Sequence, residues 1–167
     1  MLTERLEVRL PVEADRDRMV ELWSDPSFTV FSSGDMTHEE AHARFDRFLA
    51  VAAEFPFAKQ PIIERSSGVI VGYTGIDWFE FEGTRDLEFG WRLAVEARGN
   101  GYATEAATAV MDVARREMDA WLYCMIDPRN APSHGVARKV GFEPWRRVDM
   151  DGPVDLLRLD LRRSAGA

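Results

Sequence analysis

Two glycines separated by one residue, directly before an alanine-rich segment, constrain this chain more than any other feature. They lie in the stretch VEARGNGYATEAATAV, residues 95–110. Glycine adopts backbone conformations that other residues disfavour, and a helix leaves its first N–H groups without intrahelical partners. The helix dipole adds partial positive charge at the same place. The stretch therefore predicts a phosphate-binding turn followed by a helix over residues 101–118.

Two other kinds of phosphate-binding turn fit poorly. A Walker loop has Gly-Lys-Ser/Thr, whereas Gly101 is followed by Tyr102 and Ala103. A dinucleotide turn has a third small residue where this chain has Thr104, and it follows a strand buried on both faces. Residues 87–93 instead alternate apolar with polar side chains, so one face of that strand meets something polar. A plain tight turn against a packed helix is the alternative without a ligand.

The remaining patterns predict an α+β fold. Thr37 and Glu40 have the spacing of a capping box and predict the start of the second helix. Residues 61–95 predict three antiparallel strands, because the turns between them are short. The other predicted elements are a strand over 5–11, a helix over 15–26, a strand over 120–126, a helix over 131–141 and strands over 142–149 and 153–162. This order contains one strand-helix-strand crossover in an otherwise antiparallel sheet.

Length and composition predict one domain over residues 1–167, with residues 163–167 as a frayed tail. A chain of 167 residues with 46% apolar content buries a sizeable core. No run approaches the roughly 20 apolar residues of a membrane span, and the N-terminus is charged where a signal peptide is apolar. We therefore expect a cytoplasmic protein without a membrane partner. Cys124 lies in an apolar run and is predicted to be a small buried side chain.

Charge is distributed unevenly along the chain. The net charge is −8 overall, −9 over residues 1–96 and +2 over residues 97–147. The acidic balance disfavours nucleic-acid binding, which uses clustered basic faces. The basic middle segment suits a small anion, and the acidic part predicts a cationic acceptor.

Two motifs carry a resemblance to a known family. Residues 98–103, RGNGYA, match the signature Arg/Gln-x-x-Gly-x-Gly/Ala, and Asn130, Ser133 and residues 139–142, KVGF, match a second element downstream. By these motifs the chain resembles the GNAT superfamily of acetyl-CoA-dependent N-acetyltransferases. The segments RLEVRLP and LEFGWRLAVEARGNGYATEA look most like the branch that includes ribosomal-protein N-terminal acetyltransferases.

The resemblance implies a fold and a way of holding acetyl-CoA as co-substrate. The fold is an α/β/α-layered, mixed and mostly antiparallel sheet of about seven strands, with splayed fourth and fifth strands and four flanking helices. The pantetheine arm then bonds to the backbone of Leu93, Ala94 and Val95, and Asn130 bonds the same arm. The pyrophosphate lies on the amides of Arg98, Gly99, Asn100, Gly101, Tyr102 and Ala103.

The resemblance also implies catalytic roles. Many relatives have a tyrosine as general acid where this chain has Ala137, so Ser133 is the candidate that protonates the leaving thiolate. Acetyl transfer by direct attack in a ternary complex requires a neutral amine, and a carboxylate can take its proton. Glu88 lies on the strand expected to hold the thioester and is the predicted base. The alternatives are an ion pair of Glu88 with Arg92 and a purely helix-terminal role for Ser133.

The acceptor is predicted only as a primary amine, on a protein N-terminus or a small molecule. The alternative function is a catalytically idle acyl-CoA-binding sensor or scaffold.

The HEEAH segment, residues 38–42, has the spacing of a zinc-protease motif but lacks a compelling third ligand, so no metal is expected. Late strands that can pair between subunits leave a homodimer open. Five aromatic residues are candidates for the acceptor pocket or, preferably, the core: Trp23, Phe28, Phe31, Trp78 and Trp145.

Overall fold

The computed structural model describes residues 1–31 and 36–162, and the predicted frayed tail lies outside them. It has seven strands: β1 (Leu6–Val8), β2 (Gln60–Glu64), β3 (Ile70–Phe81), β4 (Thr84–Leu93), β5 (Trp121–Ile126), β6 (Glu143–Asp149) and β7 (Pro153–Asp160). The α-helices of this part of the chain are α1 (Arg16–Trp23), α2 (Pro26–Thr29), α3 (His38–Glu54), α4 (Tyr102–Glu117) and α5 (Ala131–Lys139). The predicted mixed fold is confirmed.

All strands belong to one sheet in the order β1-β2-β3-β4-β5-β7-β6. Neighbouring strands are antiparallel except β4 and β5, which run parallel and are connected through α4. The predicted hairpins form because only short turns separate β2 from β3 and β3 from β4, and such turns bring consecutive strands side by side.

The helices differ from the prediction at one place. The sequence predicted one helix up to residue 26, but α1 ends at Trp23 and a short helix, α2, begins at Pro26. Proline lacks the N–H that continues a helix and is favoured at a first helical position. The Asp25 side chain accepts a hydrogen bond from the N–H of Ser27 and caps α2. Five helices, rather than the four expected, therefore flank the sheet in the described residues.

Helices cover both faces of the sheet. Every residue from Ile70 to Ile76 in β3 is buried, which requires cover on each side of the strand. On one face Tyr73 packs against aromatic rings of α1, α2 and α3. On the opposite face of the sheet, Phe89 of β4 stacks on Phe142, which follows α5, with ring centroids 6.0 Å apart. Within residues 1–31 and 36–162, no helix has both the length and the apolar character to cross a membrane.

Candidate active site

The strands β4 and β5 separate at the centre of the sheet. They pair only at Leu87 with Leu122 and Glu88 with Tyr123, and they diverge beyond these residues. In the gap the thiol of Cys124 donates a hydrogen bond to the carbonyl oxygen of Phe89 over 3.0 Å. Burial, together with the charge of Glu88, raises the pKa of this thiol well above its usual value. Cys124 is therefore a protonated, buried side chain, as the sequence predicted.

A cavity of about 500 Å³ extends from this gap to the N-terminus of α4. Most of the predicted site residues line it: Glu88, Leu93, Arg98, Gly99, Gly101, Tyr102, Ala103, Asn130 and Ser133. Ala94, Val95 and Asn100 are not among the lining residues. The fold thus brings β4, the glycine turn, β5 and α5 together around one space.

The glycine turn has the left-handed backbone that only glycine adopts easily. Gly99 has φ +80° and Gly101, the N-cap of α4, has φ +81°. A Cβ atom on Gly99 would meet no other atom within 4 Å, so the surface beside this residue is open. The first N–H groups of α4 have no intrahelical partners and lie at the positive end of its dipole. The turn therefore has the chemistry of an anion cradle.

A network that the sequence did not reveal fixes this turn. The Arg5 guanidinium donates to the carbonyl oxygen of Asn100 over 2.9 Å and to Glu105 Oε2 over 2.8 Å. Glu105 Oε1 accepts from the Thr3 hydroxyl over 2.6 Å and from the backbone N–H of Arg5 over 2.9 Å. Tyr102, whose ring lies 4.7 Å from the Arg5 guanidinium, donates its hydroxyl to Glu64 over 2.6 Å. These contacts attach the start of α4 to β1 and β2.

We expect Glu105→Gln to lower the free energy of unfolding at pH 7 by about 1 to 3 kcal/mol, because a carboxylate that accepts several hydrogen bonds is lost. Burial opposes ionisation of Glu105, but the bonds from Thr3 and Arg5 outweigh it and lower its pKa. A lowered folded-state pKa means that the stabilisation is present above the unfolded value, about 4.3, and is lost as pH falls through the folded value.

Urea unfolding of both proteins between pH 3 and 7 measures this difference, which we expect to shrink in acid. Glu117→Gln, at the exposed other end of α4, is the matched control and is expected to change stability by less than about 0.5 kcal/mol. Equal stability of the Glu105→Gln and Glu117→Gln proteins at pH 7 would contradict the network.

The backbone of β4 offers donors to the gap, but not at every predicted residue. The N–H of Ala94 donates to Val71 over 2.8 Å and its carbonyl oxygen accepts from Ala97 over 3.0 Å, so both groups are used by the fold. Along a strand, the backbone N–H groups of successive residues point alternately to the two neighbouring strands. The N–H of Ala94 points to β3, so the N–H groups of Leu93 and Trp91 point to the gap on the other side.

Asn130 and Ser133 lie at the start of α5. The Asn130 side chain is the N-cap and accepts from the N–H of Ser133 over 3.2 Å. Ser133 is therefore within the first turn rather than the capping residue, and its hydroxyl makes no hydrogen bond within residues 1–31 and 36–162. Ala137, at the position of the tyrosine in many relatives, is fully buried.

Glu88 is paired with Lys59 and not with Arg92. Its Oε2 lies 2.7 Å from Lys59 Nζ, and both side chains are largely buried, with 14% and 17% exposed. Burial alone would lower the pKa of Lys59, but the charge of Glu88 outweighs it and raises that pKa, so Lys59 is an ammonium group. Only one carboxylate oxygen makes this pair. Gly90 leaves room for the other, since a Cβ there would lie 2.7 Å from Glu88 Oε1.

Two other carboxylates near the gap are already engaged. Asp127 accepts from the Arg129 side chain and its backbone N–H, which lowers the pKa of Asp127 to about 2 and makes it a weak base. Asp77 lies opposite Glu88 in the neighbouring strand, accepts from the N–H of Trp78 and lies 3.4 Å from Arg47. Glu88 is the carboxylate best placed at the gap.

The remaining predicted residues divide between core and surface. Trp23 and Phe28 are buried in the core, as the sequence analysis preferred. Phe31, Trp78 and Trp145 are instead 47%, 40% and 38% exposed. The preference for the core is therefore wrong for those three, and Phe31, like Phe28, lines the cavity. His38 and His42 are exposed and lie with Nε2 atoms 3.2 Å apart. Within the described residues no three His, Cys, Asp or Glu side chains are grouped to hold a metal ion.

Sequence reasoning missed Arg5, Lys59 and Tyr73. Lys59 and Tyr73 line the cavity, and Arg5 holds the glycine turn. Lys59 lies 29 residues from Glu88, and Arg5 lies 95 residues from Asn100. No local spacing signals such a pair.

Comparisons with known proteins agree on one family. The model of the acetyltransferase (GNAT) domain matches residues 5–143. The uncharacterised N-acetyltransferase YnaD of Bacillus subtilis is 29% identical over 142 residues, which cover 84% of this chain and 80% of YnaD.

Solved structures of low identity share the fold. A protein of Bordetella pertussis assigned to the GnaT acetyltransferase family has TM-score 0.83 at 22% identity, covering 95% of this chain and 97% of its own. Ribosomal-protein-S5-alanine acetyltransferase of Vibrio fischeri has TM-score 0.79 at 15% identity, covering 96% and 95%. The yncA protein of Salmonella typhimurium, solved with its cofactor acetyl-CoA, has TM-score 0.73 at 18% identity, covering 98% of each chain.

Proposed function

Because the chain belongs to the acetyltransferase (GNAT) family, whose members take their acetyl group from acetyl-CoA, we propose that it acetylates a primary amine by direct attack in a ternary complex. One observation carries the proposal. A single cavity joins the glycine turn, the gap between β4 and β5, and a carboxylate, Glu88, on the other side of that gap. The whole chain is proposed to form this one acetyltransferase domain.

The residues of the cavity fit acetyl-CoA. Backbone N–H groups from Gly99 to Ala103 would hold the pyrophosphate, and the open surface beside Gly99 gives the phosphates access. The N–H of Arg98, also predicted for this role, is a poor candidate because it donates to the carbonyl oxygen of Val95 over 3.1 Å. Leu93 and Asn130 would hold the pantetheine arm, Leu93 through its backbone at the edge of β4. The co-substrate supplies an acetyl group activated as a thioester. Ala94 is a poor candidate, since its backbone groups are bonded within the fold.

Glu88 is the proposed base. Its Oε1, beside Gly90, would take a proton from the amine, while Oε2 stays bonded to Lys59. The amine nitrogen then forms a bond to the acetyl carbon as the carbon–sulfur bond breaks. The N–H group of Trp91 would donate to the negative charge on the carbonyl oxygen. The Ser133 hydroxyl would give a proton to the departing sulfur and regain one from solvent, while Glu88 releases the amine's proton to solvent, so that protons and charge balance.

Relatives of the fold leave both kinds of acceptor open. The Vibrio fischeri neighbour acts on a ribosomal protein, which supports a protein N-terminus as one candidate. Small-molecule amines are the other. The cationic acceptor was predicted from the net charge of the chain. The cavity itself is lined by cationic side chains as well as by Glu88, among them Lys59 and Arg92. The amine itself would be attracted by Glu88.

Release of free thiol from acetyl-CoA tests the proposal. We expect release above the background hydrolysis rate only when an amine is supplied, with the acetylated amine detected in equal amount by mass spectrometry. The panel contains N-terminal peptides, polyamines and amino acids. An idle binding module would bind acetyl-CoA in calorimetry but release no thiol with any amine, and that result would reject the catalytic proposal.

A further inference from the structure

A second cavity of about 440 Å³ lies between α3 and β3, next to the one described above. Lys59 and Tyr73 line both cavities, so the two spaces meet at these side chains. Phe48, Val51 and Ala58 give the second cavity apolar walls. Its volume lies within the range of small-molecule sites.

Arg47, Lys59 and Asp77 line this cavity and are paired, but other donors beside it have no hydrogen-bond partner in the described part of the chain. Trp23 is 1% exposed, lines the cavity, and its Nε1–H is buried without an acceptor. The Arg44 guanidinium lies 5.1 Å from the Trp23 ring and has no carboxylate partner within residues 1–31 and 36–162. Tyr73 is 3% exposed, and its hydroxyl makes no hydrogen bond in the same part of the chain. Of these groups only Trp23 Nε1 is fully buried, whereas the Arg44 guanidinium is half-buried; Arg44 and the Tyr73 hydroxyl are therefore the donors that a ligand with acceptors can use.

The charges around Tyr73 favour an anion. Burial would raise the pKa of its phenol, but Arg92, Lys59 and Arg44 outweigh both burial and the opposing charge of Glu88 and lower that pKa. An environment that stabilises a phenolate oxygen also stabilises a carboxylate oxygen. The other two cations at this cavity are paired, Arg47 with Asp77 over 3.4 Å and Lys59 with Glu88 over 2.7 Å.

We infer that the second cavity binds the carboxylate and apolar side chain of the acceptor, with Arg44 and Tyr73 as donors, so that the acceptor is an apolar amino acid. The inference rests on the proposed function. The amine of such a zwitterion faces Glu88 in the first cavity, and its carboxylate faces Arg44 in the second. Opposite charges at the two ends of the site thus match opposite charges on one small molecule.

Matched amino acids and amino-acid amides test the role of the carboxylate. We expect kcat/KM for leucine and phenylalanine to exceed that for leucinamide and phenylalaninamide by about 10-fold or more, because a charge-assisted hydrogen bond is lost in the amides. The amine of an amide is less basic and more often neutral, which by itself favours the amides. A preference for the free acids therefore reports the carboxylate.

Arg44→Met keeps much of the side-chain volume and removes the charge. It is expected to raise KM for leucine about 10- to 100-fold and to leave kcat/KM for leucinamide within about three-fold. Arg162→Met, at the exposed end of β7 and paired with Asp160 over 2.9 Å, is the matched control and should change neither. Equal losses with leucine and leucinamide in Arg44→Met would overturn the inference, since they would indicate a general structural role.

Binding of 4-methylpentanoate, the analogue of leucine without its amine, separates this inference from the proposed function. We expect calorimetric binding to the wild type that competes with leucine and weakens about 10-fold or more in Arg44→Met. Binding that does not compete with leucine would place the carboxylate site outside the acceptor site and overturn the inference. Turnover of uncharged amines without any preference for acids would also overturn it while leaving the proposed function intact. Failure of every amine to release thiol would reject the function, and the 4-methylpentanoate result would still decide whether the anion site exists.

Discussion

Glu88→Gln is expected to lower kcat at neutral pH by about 100-fold, the lower end of the range for loss of a general base, which is about 10²- to 10⁴-fold or 3 to 5 kcal/mol. Glutamine keeps the size of the side chain and can accept a hydrogen bond from Lys59, but it cannot take the amine's proton. The lower end is expected because a water molecule can carry the proton instead. The dissociation constant of acetyl-CoA is expected to change by less than about two-fold, since Glu88 lies away from the glycine turn.

The pH dependence identifies the role of the carboxylate. The deficit of Glu88→Gln should shrink at high pH, where more of the amine is neutral without help. Lys59→Gln keeps the carboxylate and removes its cationic hydrogen-bond partner. We therefore expect its kcat at neutral pH to fall by much less than that of Glu88→Gln.

A structural role for the Glu88–Lys59 pair makes a different prediction. Breaking a buried pair costs about 3 to 5 kcal/mol of stability, whichever partner is changed. If the pair only stabilises the fold, both variants should melt earlier but show wild-type kcat per folded enzyme at neutral pH. That result would reject Glu88 as base. Asp77→Asn then tests the cross-strand neighbour, whereas Asp127, with its pKa of about 2, is too weak a base to replace Glu88.

Gly101→Val is expected to raise the dissociation constant of acetyl-CoA by more than about 100-fold, the equivalent of losing two hydrogen bonds to a charged group. Gly101 has φ +81°, a conformation that β-branched residues strongly disfavour. A Cβ on this residue would lie 3.5 Å from Arg5 Nη2, an ordinary contact, so the protein itself accommodates the added atom. The added side chain therefore acts mainly by covering the backbone donors and by straining the turn that aims them.

Gly68→Val is the matched control for that strain. Gly68 has φ +71° in the turn between β2 and β3, and a Cβ there meets nothing within 4 Å. Both variants should lose about 1 to 3 kcal/mol of stability. Only Gly101→Val should lose affinity for acetyl-CoA in calorimetry. Unchanged affinity in a folded Gly101→Val protein would reject the cradle.

Local sequence patterns predicted most of the fold. The glycine turn and α4, the capping box of Thr37 and Glu40 at the start of α3, and the two hairpins of β2, β3 and β4 all form where expected. Each depends on residues within one or two turns of chain, because helix caps, short turns and side-chain periodicity act over that distance. The departure at α2 arises from Pro26, which was predicted to end one helix but instead begins another.

The charges that line the two cavities differ from the net charge of the segment that contributes them. Residues 1–96 carry a net charge of −9, yet they contribute Lys59, Tyr73, Arg92 and Arg44 to the space beside Glu88. A site experiences the charges within a few ångströms, whereas distant surface carboxylates are screened by solvent and salt. The charges that line the cavities therefore follow from packing and not from composition.

The sequence by itself determined the helices and strands, their order, the glycine turn at residues 98–103 and, through two motifs, the family. Only the tertiary structure decided the partners of the side chains: Lys59 for Glu88, Arg5 for Glu105, and the shared space around Trp23, Arg44 and Tyr73. Backbone conformation is set by neighbours in the chain, so it leaves a local pattern. Contacts between residues 29 or 100 apart exist only after the sheet and its helices have packed, so no local pattern records them.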